Sequence, residues 1–261
     1  MTESRFPFGE PVRVLQQEDR SPKRVFVLGV YASAVHARWD LPDGRRVRAL
    51  AVASEPEIFW RGDGVKDIIA RINVPDRAGH LSVPDEKFNG PSGRALDEHY
   101  LTRLDLSRSD VWLCDLLPES RVNAQQKKAI ERCYAPLVRE GLVPEATTPA
   151  FDARELASDE RRQEIADEIL ESRATTLVTL GELPLKHFAK PLGLGPARLR
   201  AFGTSPDVYG RLHDIRIGDQ SLKLLPLVHP RQASQLGRSS AAWTSLHKVW
   251  AEDVAQKLRL R

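Results

Sequence analysis

Four short apolar runs, separated by stretches with helical periodicity, constrain the fold of this chain more than any other feature. The runs cover residues 25–28, 111–114, 176–180 and 222–228. The first three are almost continuously apolar, which is typical of strands that are buried on both faces of a parallel sheet. Pro226 interrupts the fourth run, and because proline cannot donate to a neighbouring strand, we expect an edge position or a bulge there.

Amphipathic stretches lie between and after these runs. Asn123 can cap a helix with an apolar face, a second stretch covers residues 152–172, and a third closes the chain. The apolar residues of the first and third are Ile130, Cys133, Tyr134, Leu137 and Val138, and Trp243, Leu246, Val249 and Trp250. Strands that alternate with helices predict an α/β fold, a three-layer α/β/α sandwich around a four-stranded mainly parallel sheet.

A long segment separates the first two apolar runs. Residues 42–45, Pro-Asp-Gly-Arg, are a hairpin turn signal between 37–41 and 46–52, and residues 73–89 have the composition of a loop. We therefore expect one domain, 1–261, with an insertion at about 37–87.

Composition narrows the class of protein. The 261 residues are 41% hydrophobic and 29% charged, which is an ordinary globular mixture. The sequence shows neither a signal peptide nor a membrane-length apolar stretch, so we expect a cytoplasmic protein without a membrane partner. Two cysteines are too few for a disulfide framework or a four-cysteine metal site, and we expect no cofactor and no metal.

The positive charge is concentrated in one part of the sequence. Residues 186–238 contain nine Lys and Arg against three Asp, a local charge of +6, whereas the remainder carries −3. This asymmetry is typical of a nucleic-acid-binding face. An ordinary solvated surface explains the same charge pattern, and both interpretations stay open on charge alone.

Polar and small residues follow each predicted strand. They lie in the segments 29–33, 115–121, 181–182 and 229–231, which contain Tyr, Ser, Asp, Glu, His and Arg. Ligands bind beyond the carboxyl ends of the strands in open parallel sheets, so we expect these side chains to converge on one rim.

An ordered set of motifs resembles the family 4 uracil-DNA glycosylases. The motifs are Asn89-Gly-Pro-Ser-Gly-Arg-Ala-Leu-Asp97, Asp110-Val-Trp-Leu-Cys-Asp115, 123–133, Pro136-Leu137, Thr179-Leu-Gly181 and His229-Pro230, with 29–33 in the place of the first catalytic motif. The resemblance covers about 24–33, 88–140 and 174–250. It implies the uracil-DNA glycosylase fold and an enzyme that flips a base out of DNA and hydrolyses its N-glycosidic bond, leaving an abasic site.

Three positions depart from the family pattern. Family 4 members hold an iron–sulfur cluster with four cysteines, and only Cys133 matches a ligand position, so we expect no cluster. Tyr31 stands where the first motif usually has Asp, Glu or Asn to position the attacking water. Asp115 stands where the uracil-reading residue is usually Asn.

The resemblance assigns roles to individual residues. It implies that His229 hydrogen-bonds the pyrimidine O2, that Phe88 stacks on the flipped base, and that Leu236 wedges into the gap in the DNA. The remaining implied contacts are Gly29 and Ala32 at the base, and Arg231, Arg238 and Arg121 at the DNA. An exposed loop, a buried Phe and a loop His are the alternative interpretations.

The sequence offers several candidates for the group that positions the attacking water. Tyrosine has an ordinary pKa of about 10, which makes Tyr31 a poor general base at neutral pH. Ser33 can orient a water molecule without deprotonating it. A carboxylate from Asp115, Asp40 or Glu55 is the alternative.

Asp115 also bears on the identity of the base. An ionised Asp offers acceptors only, which suits the cytosine N4 amino group and opposes uracil O4. Because Ala32 and Ser33 are small, we hypothesise that the substrate is a 5-modified cytosine, such as the hypermodified cytosine of viral DNA, and that the enzyme serves defence. The alternatives are a uracil-DNA glycosylase in repair, with Asp115 capping a loop or pairing with Arg121, and a catalytically silent DNA-binding protein.

The predicted partner is therefore DNA, and we expect no obligate protein partner. A nucleotide-binding α/β enzyme lacks support, because the sequence has neither a GxxxxGK[ST] loop nor a GxGxxG motif after the first strand.

Overall fold

The computed structural model describes residues 3–236 and 239–260. The strands in these ranges are β1 (Val25–Tyr31), β2 (Ala34–Asp40), β3 (Arg46–Ser54), β4 (His80–Ser82), β5 (Val111–Leu117), β6 (Thr176–Leu180), β7 (His213–Ile217) and β8 (Gln220–Leu227). The α-helices are α1 (Val65–Ala70), α2 (Pro91–Leu96), α3 (Ala124–Ala129), α4 (Ala135–Arg139), α5 (Asp159–Ser172), α6 (Glu182–Pro184), α7 (Pro230–Ala233) and α8 (Ala241–Asp253).

Shorter helical turns extend or join these elements. The π-helical turns are Asp97–Leu101, Ile130–Tyr134 and Leu185–Ala189. The 3₁₀ turns are Pro7–Gly9, Asp76–Ala78, Glu86–Phe88, Thr102–Leu104, Arg108–Asp110, Ala153–Glu155, Leu199–Phe202 and Ala255–Leu258. Across the described ranges, every helix is too short or too polar to cross a lipid bilayer.

The chain divides into two compact units, each made of separate segments. The first, which we call the hairpin unit, comprises Met1–Leu15, Tyr31–Pro91 and Pro118–Ala153. The second, the sheet unit, comprises Gln16–Val30, Ser92–Leu117 and Arg154–Arg261. The predicted insertion at about 37–87 falls wholly within the hairpin unit, while the prediction of one domain over 1–261 stays a prediction.

The sheet unit contains a five-stranded sheet with the order β5-β1-β6-β8-β7. Strand β1 runs parallel to β6, with Leu28 opposite Thr179, and β6 runs parallel to β8, with Leu180 opposite Leu227. The four predicted strands are present, which confirms the α/β class. Their continuous apolar sequence has the expected cause, because β1 and β6 are buried along almost their whole length.

The prediction of four strands was wrong by one. Strand β7, with the sequence His-Asp-Ile-Arg-Ile, pairs antiparallel with β8 at the end of the sheet. Its residues alternate between half-buried and exposed, so it lacks the continuous apolar run that identified the others. The sheet is therefore mixed and mostly parallel, and its three-layer, glycosylase-like arrangement stays a prediction.

The expectation of an edge position or a bulge at Pro226 was wrong. Strand β8 lies between β6 and β7 rather than at an edge, and its register with β6 runs without a bulge through Pro226, which lies opposite Thr179. On the other side, β7 pairs only as far as Leu224. Pro226 lies beyond that last partner, so its missing N–H does not interrupt the pairing with β7.

The helical predictions are confirmed at their caps and faces. The Asn123 side chain accepts from the N–H groups of Gln125 and Gln126 and begins α3. Tyr134 is fully buried, and its partners from the predicted apolar face pack around it. Helix α5 begins at Asp159, later than the predicted 152, because Ser158 provides the N-cap. Leu246 and Trp250 are buried on α8.

The hairpin unit contains a three-stranded sheet with the order β3-β2-β4. Strands β2 and β3 are antiparallel and flank the predicted turn at 42–45, which confirms the hairpin. The predicted loop 73–89 is only partly a loop, since β4 lies in it and pairs with β2. Trp39, Tyr134 and Phe8 form the aromatic centre of this unit's core.

Candidate active site

The sheet unit has a topological switch at β1. From β1 the chain continues to β5 on one side of the sheet and then to β6 on the other side. Ligands in open α/β sheets bind at the carboxyl ends of strands where the connections reverse in this way. In this sheet those ends are marked by Gly29 and Val30 of β1, which are buried, and by Gly181, which directly follows β6.

Asp115 lies on one side of this switch, in β5. Its carboxylate is only 4% exposed and accepts a hydrogen bond from the Val30 N–H. The Arg161 guanidinium lies 2.9 Å from the Asp115 backbone oxygen. Burial raises the pKa of Asp115 to about 7, although the Arg161 charge and the Val30 hydrogen bond both oppose the rise. At neutral pH the protonated and ionised forms are therefore both populated.

His229 lies on the other side of the switch, directly after Val228 at the end of β8. Its Nδ1 accepts a hydrogen bond of 3.2 Å from the Arg231 N–H at the start of α7. Burial, with a smaller contribution from the Arg231 charge, lowers the pKa of His229 to about 4. The imidazole is neutral at pH 7, and because Nδ1 is an acceptor, the ring proton lies on Nε2.

Gly181 leaves the space that His229 occupies. Its φ of +91° is a conformation that favours glycine, and its N–H donates to the Leu227 oxygen at 2.8 Å. A Cβ on Gly181 would lie 3.1 Å from the His229 Cβ. The end of β6 and the end of β8 are thus in direct contact, as predicted for a common rim.

Asp115 and His229 flank the strand ends of β1 and β6. Three strand spacings separate β5 from β8, which is a distance of about 14 Å between their backbones. The placement of Asp115 and His229 on one edge of the sheet stays a prediction, with which the contacts at Val30 and Gly181 agree. The arrangement offers a hydrogen-bond donor at one side of the switch and a carboxyl group at the other.

The loop after His229 contains the predicted DNA contacts. Arg231 is exposed and Leu236 is half-buried, and the Leu236 N–H donates to the Arg231 oxygen at 2.8 Å. The Gln232 amide bonds the Thr244 hydroxyl at 3.0 Å, which ties the loop to α8. Arg238 lies outside the described residues.

In the hairpin unit, the segment 31–33 is held by its own neighbours. The Tyr31 ring stacks on Phe151 with a centroid distance of 4.9 Å, and Ala32 is buried. Ser33 is exposed, and its backbone oxygen accepts a hydrogen bond of 2.7 Å from the Ser120 hydroxyl. A tyrosine whose ring is stacked in this way suits a structural role better than that of a base.

Phe88 is placed by the residue that follows it. The Asn89 amide accepts from the His36 N–H at 2.8 Å and donates to the His36 oxygen at 2.9 Å, which fastens this segment to β2. Phe88 itself is half-buried, so part of its ring is accessible for the stacking that the resemblance implies.

Arg121 has a partner within the hairpin unit. Its guanidinium lies 2.9 Å from Glu119, and its side chain is only 10% exposed. A buried, paired arginine is a weaker candidate for a phosphate contact than the exposed Arg231. Its role at the DNA stays a prediction.

The alternative carboxylates differ in their surroundings. Asp40 pairs with Arg46 and lies 3.8 Å from Arg38, and its hydrogen bond with Arg46 lowers its pKa. Glu55 is only 6% exposed and directly follows β3. Because Ala34 pairs with Ser54, Ser33 and Glu55 each adjoin the last pair of the hairpin.

Two groups at this site were missed by sequence reasoning. Arg161 contacts both Asp115 and the Cys114 sulfur, at 3.2 Å for the latter, although 46 residues separate it from Asp115. The second group, Tyr100 and Tyr209, hydrogen-bonds the backbone of Val228. Only their burial distinguishes these residues, and the sequence gives no local signal for it.

An iron–sulfur cluster does not fit this chain. The family-type cluster needs four cysteine ligands, whereas the sequence has two cysteines, and Cys133 packs against the core of the hairpin unit. Among residues 3–236 and 239–260, no group of three or more His, Cys, Asp and Glu is arranged to hold a metal ion. Neither a protein-family model nor a curated protein sequence matches the chain.

Proposed function

We propose that this chain is a DNA glycosylase that hydrolyses the N-glycosidic bond of a flipped base, and that the base is a 5-modified cytosine. The observation that carries the proposal is the state of His229. Its Nδ1 is occupied by the Arg231 N–H and its pKa is about 4, so a neutral ring presents Nε2–H as a donor at the strand ends.

This donor suits the chemistry of base removal. Cleavage of the glycosidic bond places positive charge on the sugar and negative charge on the leaving base. A fixed N–H donor aimed at the pyrimidine O2 stabilises that negative charge as it develops. A neutral imidazole donates this hydrogen bond and keeps its proton. A charged imidazole with a low pKa would instead transfer the proton to the base.

Asp115 supports the cytosine assignment through its raised pKa of about 7. A protonated Asp115 donates its O–H to cytosine N3 and accepts from the N4 amino group. The pair matches the Watson–Crick edge of cytosine, and a proton shared with N3 makes the base a better leaving group. Since an enzyme that removed ordinary cytosine would damage its own genome, the proposal requires a substituent at C5.

Uracil is the second candidate substrate, and the same protonated carboxyl group favours it. A neutral Asp115 has one donor and one acceptor, so it can also accept from uracil N3–H and donate to O4, as Asn does. The carboxyl group thus fits both bases when it is protonated. When it is ionised, it still accepts from the cytosine amino group, but against uracil it sets an acceptor opposite O4.

DNA binding is assigned to the loop after His229. Arg231 is exposed in the most basic part of the chain and suits a phosphate contact. Leu236, half-buried at the end of the same loop, is the proposed wedge. The attacking water needs little activation, because a dissociative reaction with a stabilised leaving group depends only weakly on the nucleophile.

The test is a base-release assay on matched DNAs that carry uracil, cytosine or large 5-substituted cytosines. We expect release only from the 5-substituted cytosines, detected as free base by mass spectrometry and as strand scission after alkali. Release from uracil alone would select the second candidate. Binding to all of the DNAs without release from any would show a silent DNA-binding protein, and His229→Ala serves as the inactive control.

A further inference from the structure

Val228, the residue before His229, is fixed by two buried tyrosines of the sheet unit. The Tyr100 hydroxyl donates to the Val228 oxygen at 2.7 Å, and the Val228 N–H donates to the Tyr209 hydroxyl at 3.0 Å. Both tyrosines are only 1% exposed. Because β8 ends at Leu227, the backbone of Val228 lies beyond the strand pairing, and side chains satisfy both of its polar groups.

These two bonds fix the peptide planes on both sides of Val228. The Val228 oxygen belongs to the rigid peptide that ends at the His229 nitrogen, so Tyr100 sets the plane from which the His229 side chain departs. On the opposite side, Gly181 lies so close that even a Cβ there would crowd the His229 Cβ. His229 is therefore confined both by its own backbone and by its neighbour.

A third side chain determines the direction of the hydrogen bonds. His247 on α8 is 2% exposed, its Nε2 lies 3.2 Å from the His99 oxygen, and its Nδ1 lies 2.9 Å from the Tyr209 hydroxyl. A carbonyl oxygen only accepts, so Nε2 carries the proton and Nδ1 accepts from Tyr209. Burial lowers the pKa of His247 to about 3, which keeps the ring neutral and preserves this arrangement.

The geometry points to Tyr100, Tyr209 and His247 as positioning residues that hold Val228 and thereby orient His229 for base release. The inference rests on the proposed function of His229, but the placement itself does not depend on activity. Tyr209 has all of its hydrogen bonds determined: it accepts from Val228 and donates to His247. Loss of either tyrosine hydroxyl leaves a buried backbone group without its partner, and the backbone must then shift.

The test compares Tyr100→Phe and Tyr209→Phe with a matched control, Tyr134→Phe. Tyr134 is a fully buried tyrosine of the hairpin unit whose hydroxyl also accepts a backbone N–H, from Phe8 at 2.7 Å, and donates to a carbonyl, of Pro144 at 2.8 Å. Tyr209→Phe and Tyr134→Phe each remove a hydroxyl that accepts one hydrogen bond and donates another, and Tyr100→Phe removes the hydroxyl that donates to Val228. We therefore expect Tyr209→Phe and Tyr134→Phe to show similar falls in Tm, which separates stability from positioning.

The first readout is the NMR spectrum of histidine-labelled protein, in which His229→Gln identifies the His229 signals. In Tyr100→Phe and Tyr209→Phe we expect the His229 ring nitrogens to shift and the pKa of His229 to rise from about 4. Tyr134→Phe should leave both unchanged. The second readout is single-turnover base release, which should fall on the order of 10- to 100-fold in the two variants while DNA affinity stays the same.

Wild-type His229 signals in both variants, together with a Tm loss equal to that of Tyr134→Phe, would overturn the inference. If Tyr209→Phe does not fold, Tyr100→Phe decides alone, because it leaves the Val228 N–H bond intact. If wild-type protein releases no base from any DNA, the proposed function fails, while the NMR comparison still decides whether the tyrosines orient His229.

Discussion

Asp115 and His229, at the two sides of the switch in the sheet unit, respond to the same cause in opposite directions. Burial raises the pKa of Asp115 to about 7 and lowers the pKa of His229 to about 4. In both residues, burial favours the neutral form. The histidine is therefore uncharged throughout the neutral range, whereas the carboxyl group changes its charge within it.

The surroundings explain why only one of the two titrates near pH 7. Asp115 has a positive charge close by in Arg161 and a backbone donor in Val30, which limit the rise of its pKa. His229 has Arg231 beside it, whose charge adds to the effect of burial. If the chain is the proposed glycosylase, its donor to the leaving base keeps one charge state near neutral pH, whereas its base-reading carboxyl group changes charge there.

His229→Ala gives the largest expected effect. Loss of a donor to a developing anion costs on the order of 2–4 kcal/mol in the chemical step, and DNA binding should change little. Single-turnover cleavage and equilibrium binding measure the two quantities separately. A cleavage rate equal to that of the wild type would remove His229 from the mechanism.

Asp115→Asn tests the other side of the site. An amide cannot ionise, and with its oxygen toward N3–H and its NH₂ toward O4 it accepts from and donates to uracil. We expect a shift of about 1–3 kcal/mol toward uracil in competition assays with 5-substituted cytosine. An unchanged preference would show that Asp115 does not read the base.

The contributions of Asp115 and His229 to the free energy of unfolding should change with pH in opposite directions. Asp115 has a raised pKa, so its contribution is present at low pH and is lost as the pH rises through about 7. His229 has a lowered pKa, so its contribution is present above the ordinary histidine value of 6.5 and is lost as the pH falls through about 4. Between about pH 4 and 6.5 the two contributions change at equal and opposite rates, so their sum stays constant.

Replacing one of the two residues should therefore give the free energy of unfolding a net slope with pH. Relative to the wild type, Asp115→Asn should gain stability as pH rises from about 4 to 6.5, and His229→Gln should lose it, with slopes of up to about 1.4 kcal/mol per pH unit. Urea unfolding at a series of pH values measures both. Parallel curves for the wild type and both variants would contradict the pKa assignments.

Arg231→Ala, in the loop after His229, gives the smallest expected effect, a change in the salt dependence of DNA affinity. Removing one phosphate contact should reduce the slope of log affinity against log salt by about one unit. Arg20→Ala is the matched control, since Arg20 is also part-exposed in the sheet unit but pairs with Glu171 outside the basic segment. Equal slopes for Arg231→Ala and the wild type would exclude the phosphate contact.

The sequence identified the parts of the fold whose signal is local. Strands β1 and β6 were recognisable because both of their faces are buried, so every residue in them is apolar or nearly so. Strand β7 was not, because its exposed residues break the pattern. The cap at Asn123 was recognisable because its partners lie within three residues.

The candidate site was only partly predictable. His229 and Asp115 were proposed because they follow or end apolar runs, and the strand order places β5 and β8 in one sheet. Their pKa values depend on burial and on Arg161, which comes from a distant helix. The hydrogen bonds of Tyr100 and Tyr209 to Val228 could not be predicted either, because no residue near the tyrosines in sequence indicates which backbone groups they contact.

The interleaved segments of the two units have a consequence for how the chain is made. Each unit is interrupted by pieces of the other, so a contiguous fragment that contains one unit complete also contains segments of the other. Strand β1 is translated before both of its neighbours: the hairpin-unit segment Tyr31–Pro91 precedes β5, and the segment Pro118–Ala153 precedes β6. High contact order of this kind slows folding. The nascent chain therefore carries β1 without either neighbour until β5 has been translated, and chaperones that shield such apolar segments should raise its yield.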